Sequence, residues 1–181
     1  MDYTGQLLIA HPKLRGTFFE RSVIYVYEHS ELGGTSGLVL NKPAKHPVKE
    51  LFAQKGYSVD FVDPIRRGGP INEKAVLMLH SSEWYSSNTI MSNEFSISSD
   101  NFMIEKMSTG NMPDNWKIFI GISGWAPGQL QSEIDGTPPY RLENRWLTAK
   151  ATPEIVFDYD GDEQWNRAIE LSSQEMIDYY F

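Results

Sequence analysis

The chain has 181 residues, of which 40% are hydrophobic and 22% charged, the balance of one globular domain spanning 1–181 and not of a disordered segment. It contains no cysteine, which excludes a disulfide scaffold, a zinc finger and a cysteine nucleophile. Lys plus Arg number 16 against 24 Asp plus Glu, so the net charge is −8, and only Arg66 and Arg67 are adjacent cations. That field opposes binding through a nucleic-acid backbone, which needs clustered positive charge.

Leu7-Leu8-Ile9-Ala10 reads as a strand stopped by Pro12. Ser22 to Tyr27 is β-branched and aromatic and apolar on nearly both faces, so it predicts a central strand. Gly37 to Leu40 follows a Gly33-Gly34 turn, predicting a hairpin that Pro43 ends. Val48 to Lys55 has helical spacing and a Gly56 stop. Arg66 to Pro70 predicts a turn after a short strand, Ala75 to Leu79 a strand, and Ile90 with Phe95–Ile97 a small hairpin. Asp100 caps a helix to Met107. Trp116, Ile118, Ile120 and Ile122 alternate along a strand. Pro127 suits the first turn of a helix that Gly136 ends, Arg145 to Ala149 reads as a late strand, Thr152-Pro153-Glu154 starts a short helix, and a last helix covers Glu163 to Leu171. The order does not alternate as βαβ, so the reading is α+β with a mixed, largely antiparallel sheet.

Few motifs point to chemistry. Gly121-Ile122-Ser123-Gly124-Trp125 lacks the second glycine of a nucleophile elbow, and all four histidines precede it, so Ser123 reads as part of a tight strand-to-helix turn. Glu28 and His29 are neighbours on a strand and face opposite sides, so they share no ion. The acidic run Asp158 to Glu163 lacks the glycine and glutamate of a calcium loop and reads as a turn feeding a helix N-terminus. No metal or cofactor signature is present. Arg67-Gly68-Gly69-Pro70 has the composition of an anion nest or of a plain glycine turn. His80, on the face of Val76 and Met78, reads as a hydrogen-bonded core histidine before a catalytic one. In the predicted hairpin, Arg21 and Ser22 lie beside Asn41 and Lys42. Alternation sets Arg21 with His29 on one face and Ser22 with Glu28 on the other. Arg21, Asn41 and Gly68-Gly69 then form a polar cluster that caps the sheet end or binds an anion.

Several stretches in order resemble the AlgH (YqgE-type) family of small bacterial proteins. They are Leu8-Ile9-Ala10-His11-Pro12, Phe19 to His29, Gly37 to Pro43, Gly68-Gly69-Pro70, Leu79-His80-Ser81, Gly124 to Ile134 and Trp146 to Ala149. The resemblance spans roughly residues 5 to 170. It implies a bifurcated sheet curled into a pseudo-barrel with flanking helices, a cytoplasmic protein, and a role in regulating transcription suggested by the family's name. The polar positions it carries over are Arg21, Ser22, Glu28, His29, Asn41, Lys42, Gln129 and Glu133. The chain departs from the family pattern in the long Gly136 to Asn144 link, in Ile122-Ser123 before the Gln-Leu helix, and in the Ile177 to Phe181 end, which lacks a glycine-rich tail.

The leading expectation is a non-enzymatic binding or regulatory module with a protein or small-molecule partner, no direct nucleic-acid contact and no membrane span. The alternative is a small-molecule or anion-binding enzyme using Arg67, His80 and Glu133 around Gly68-Gly69; direct DNA binding ranks last. The arrangement of the polar positions separates the first two, since a ligand or active site needs them in one pocket.

Overall fold

In the computed structural model, which describes residues 1–138 and 145–181, ten strands and five helices alternate irregularly along the chain. The strands are β1 (Gln6–Ala10), β2 (Val23–Ser30), β3 (Gly34–Val39), β4 (Pro43–Pro47), β5 (Pro64–Arg67), β6 (Ile71–Ser81), β7 (Ile90–Ser92), β8 (Phe95–Ser98), β9 (Trp116–Trp125) and β10 (Trp146–Lys150). The helices are α1 (Val48–Gln54), α2 (Asn101–Ser108), α3 (Gln129–Asp135), α4 (Pro153–Phe157) and α5 (Gly161–Tyr180). The fold is α+β. Eight strands run in the order β10-β1-β2-β3-β9-β6-β8-β7, all antiparallel neighbours, while β4 and β5 leave this path, β5 lying parallel to β9.

The sheet forks at β9. Its first half pairs with β5 through Phe119 and Ile120, and its second half with β3 through Ser123 to Trp125. Both partners use one edge, because β6 takes the other. Gly68 and Gly69 fill the fork. The Gly68 amide donates to the Ile120 carbonyl and its own carbonyl accepts from the Val39 amide. A Cβ on Gly69 would stand 2.2 Å from the Ile122 carbonyl oxygen, so only glycine lets the two backbones meet.

The sheet curls until its ends approach. Tyr25 donates its hydroxyl to the Ser92 carbonyl, and Lys150 lies 3.7 Å from Glu94. Inside the curl, alternate residues of β1–β3 (Leu7, Val23, Tyr25, Leu38) meet those of β6, β8 and β9 (Leu79, Ile97, Phe119), with α4 and α5 packed on them through Val156 and Ala168. The outer face of β5, β6 and β9 carries α1 and α2. The outer face of β1–β3 carries α3 and aromatic residues of the β1–β2 loop. This two-sided packing is why β2 is buried on both faces over Val23 to Val26.

The hairpin's second strand ends at Val39, before Pro43, but Pro43–Pro47 forms a further strand that was not expected, and proline is tolerated there because β4 is an edge. Three expectations need correction. Ser123 lies within β9 and not in a strand-to-helix turn, and α3 starts at Gln129 after Gly128 takes a left-handed φ of 76°. A bulge between Val26 and Glu28 breaks the expected alternation along β2. Finally, α5 runs nine residues past Leu171, to Tyr180. Tertiary contacts set that length: Ser172 Oγ donates to the Thr148 carbonyl, and Glu175 accepts the Lys150 amide on the open edge of β10. The long link before β10 falls largely on residues 139–144, outside the described residues.

Candidate functional site

The polar candidates fall into separate places. The largest group lies at one mouth of the curl, where β2, β3 and β5 end beneath the α4–α5 turn. Asn41 is buried there. Its Oδ1 accepts the Val23 amide at 2.9 Å, and its Nδ2 donates to the Arg21 and Gly161 carbonyls at 2.8 and 2.9 Å. Arg21 holds a left-handed φ of 53°, pinned by that bond, by Asp162 at 2.8 Å and by stacking of its guanidinium on Trp165. Lys42 Nζ donates to the Glu20 carbonyl at 2.7 Å, and burial lowers its pKa, opposed by Asp162 and Glu20. Ser22 is fully buried next to this cluster, and its hydroxyl has no partner among the described residues.

The same mouth holds three residues that the sequence reading did not single out. Arg66, 4% exposed, donates Nε and Nη2 to the two carboxylate oxygens of Asp160 at 3.0 and 2.6 Å. Lys117, 2% exposed, donates to the Tyr159 carbonyl at 2.6 Å and lies 3.6 Å from Asp160. Burial first, then the Arg66 charge, lowers the Lys117 pKa to about 8, with Asp160 opposing. One signal was visible: Lys117 interrupts the apolar run of β9 with a charge, and a charge inside a buried strand needs a partner. The acidic turn is that partner. Asp160, Gly161 and Asp162 each dock on this mouth, so the turn supplies charge to the sheet's basic end.

Glu133 sits elsewhere, outside the β1–β3 layer. It is 4% exposed, and no cation lies within salt-bridge distance of it among the described residues. Its Oε2 accepts the indole N–H groups of Trp125 at 3.0 Å and Trp146 at 2.8 Å, and its Oε1 accepts Gln129 Nε2 at 2.9 Å. Gln129 Oε1 in turn accepts the Ala126 amide and fixes the entry to α3. Four donors thus organise a corner made of two tryptophans and a short helix. Glu28 and His29 lie at the far end of the β2–β3 hairpin: Glu28 is exposed, and His29 Nδ1 bonds Thr35 Oγ1 at 2.7 Å.

His80 is fully buried in β6. Its Nδ1 faces the Ser81 carbonyl at 2.8 Å, so Nδ1 carries the proton and Nε2 accepts from the Ser98 hydroxyl at 2.8 Å. Burial lowers its pKa and keeps the ring neutral. The pair has the connectivity of a nucleophile and its base, but Ser98 and His80 are both 0% exposed, and Trp84 stacks edge-on against the ring. Ser123, also fully buried, donates its hydroxyl to the Gly68 carbonyl at 3.0 Å. At the fork, the Arg67 amide donates to the Lys42 carbonyl and its guanidinium lies over Phe18, 4.9 Å from the ring centre. The amides a nest would offer at Arg67 and Gly68 are therefore engaged in the sheet.

Strand β9 measures the separation. His80 pairs with Trp116 at its start, and Trp125, nine residues on, bonds Glu133. At roughly 3.3 Å per residue, that is about 30 Å of strand. Arg67 pairs with Ile120 between them. No group of three or more His, Asp or Glu converges among the described residues, and no helix among them is long and apolar enough to cross a membrane.

The family that models this pattern is the AlgH-like one, whose match covers residues 7–177. Curated relatives agree along nearly their full length. A UPF0301 protein of Proteus mirabilis is 36% identical over 180 residues, 94% of this chain and 92% of the relative, and one of Vibrio parahaemolyticus is 32% identical over 179 residues, 94% and 91%. Among solved structures, the AlgH protein of Pseudomonas aeruginosa superposes with a TM-score of 0.76 at 29% identity, covering 93% of this chain and 87% of that one. A protein of Corynebacterium diphtheriae gives 0.70 at 25% identity, covering 90% and 83%. The chain belongs to the AlgH-like family.

Proposed function

We propose that this chain is a non-enzymatic binding or regulatory module. One observation carries the reading: the polar candidates are dispersed, and most of their polar atoms are bonded to the chain itself. Arg67, His80 and Glu133, the trio an enzyme would use around Gly68-Gly69, lie along about 30 Å of one strand and cannot act on one small substrate. Four surface grooves are lined by none of the twelve candidate residues. Asn41, Glu133 and His80 therefore hold the fold, and recognition belongs to other surfaces.

A role in transcription, if it follows the family's name, then runs through a protein or small-molecule partner, since the net charge of −8 opposes direct contact with DNA. A thermal-shift screen over small molecules, with mass spectrometry of each mixture, tests the reading. The expected result is a raised Tm for a binder with no chemical change in it. Turnover of any compound overturns the reading.

A further inference from the structure

Helices α1 and α2 cover the outer face of β5, β9 and β6 but leave a trough between them. Its central part, about 280 Å³, lies between the end of α1, β6 and the start of α2. It continues past Tyr57 as a further 180 Å³ that shares Lys55, Asn101 and Ile104. On the other side of Leu51, a groove of about 230 Å³ runs over Ile65 and Ile120. The floor is apolar: Leu51, Val76, Ile104 and Ile120 all face it. The rim is not. Lys55 and Lys74 both line the central part, both are exposed, and neither has a carboxylate within 4 Å among the described residues. Asp100 lies at the same wall, but its carboxylate is held by Ser86 Oγ and by the Asn88 and Met103 amides. In the central part the two cations outnumber the one carboxylate, Asp100, and Glu50 on the adjoining groove is engaged by His46 at 2.7 Å, so on a chain of net charge −8 the rim here carries a local excess of positive charge over an apolar floor.

We infer that the trough binds a small amphiphile with a single anionic head, the head between Lys55 and Lys74 and the apolar body along Leu51, Val76 and Ile104. Charge complementarity selects the head, and the apolar floor selects the body. The backbone argues for a small ligand over an extended peptide. At the floor, β9 is paired on one side by β5 and on the other by β6, so it offers no free edge for an added strand. The inference rests on the reading of the chain as a binding module.

The test is a calorimetric titration with decanoate below its micelle concentration, run beside decyltrimethylammonium and decanol, on the wild type and on the Lys55→Glu/Lys74→Glu double variant. Both substitutions are at exposed positions, and unchanged circular dichroism and Tm will show that the fold is kept. The site predicts saturable one-to-one binding of decanoate to the wild type, weakened at least tenfold in the double variant, and weaker binding of the cationic and neutral probes. Equal binding of decanoate to both proteins, binding of the cationic probe as tight as that of decanoate, or no saturable binding overturns the inference. Mass spectrometry of the same mixtures separates the two readings: decanoate that is bound but chemically altered overturns the non-enzymatic reading and leaves the site, whereas absent binding overturns the site and leaves the reading.

Discussion

The Asn41 Oδ1 stands 2.9 Å from the Val23 amide nitrogen and replaces, at the end of the β2–β3 pair, the backbone acceptor that a longer strand would have supplied. Through its Nδ2, the same side chain ties the left-handed turn at Arg21 to the first residue of α5. Three backbone groups are thereby satisfied by one buried amide. Asn41→Ala is expected to lower stability by about 1–3 kcal/mol. Arg21→Ala, whose ion pair with Asp162 is exposed on both sides, is expected to cost less than about 1 kcal/mol. Denaturant midpoints of the two variants check the ranking.

Glu133 is a buried acceptor facing three side-chain donors. Glu133→Gln sets an N–H group against either an indole N–H or the Gln129 amide, and Glu133→Ala leaves both indoles unpaired. Both variants are expected to lose about 1–3 kcal/mol, the alanine variant more. Urea melts followed by tryptophan fluorescence will show it, with the folded-state emission of Trp125 and Trp146 altered.

Lys117 gives stability a pH dependence of definite sign. Its folded pKa is about 8 and its ordinary value 10.5, so between those limits the unfolded chain binds more protons. Stability from this group therefore rises with pH across that window, as burial of the charge ceases to be required. The wild type is expected to gain on Lys117→Met between about pH 7.5 and about pH 9.5 in denaturant midpoints at fixed ionic strength. Parallel curves would count against the assignment. Tyr25, raised to about 12 by burial, acts in the opposite sense above pH 10 but in both proteins alike.

Ser98 and Ser123 are predicted to be inert. Both hydroxyls are fully buried, Ser123 against a carbonyl and Ser98 against a neutral histidine behind Trp84. A fluorophosphonate probe followed by peptide mapping should label neither; labelling lost in Ser98→Ala or Ser123→Ala would reveal a nucleophile.

Gly69→Ala is expected to prevent normal folding, because its Cβ would overlap the Ile122 carbonyl at the fork. A loss of about 3 kcal/mol or more, or insoluble protein, is the expected outcome in expression trials and thermal melts. A wild-type Tm would show that the fork can open.

Local pattern carried much of this fold to the surface of the sequence. The β-branched run Ser22 to Tyr27, the Asp100 and Thr152 caps, the Gly136 stop and the alternation of β9 each state a preference that short-range sterics enforce, and each element formed where those preferences lie. The neighbourhood of Arg21 and Asn41 was legible too, because hairpin geometry ties strand end to strand start. The length of α5 was not: its continuation past Leu171 is fixed by Ser172 and Glu175 reaching the edge of β10, far away in the chain.

The sequence by itself determined most of the elements, though not β4 or the end of α5, together with the acidic field, the absence of cysteine chemistry and the family pattern, since these depend on residue type and near neighbours. Only the tertiary structure decided which charges meet. Arg66, Lys117 and Asp160 stand 51 and 43 positions apart in the chain, and no periodicity links them; they are joined because the curl leaves two cations at its mouth that cannot stay dry and unpaired, and the α4–α5 turn is the segment that brings a carboxylate there.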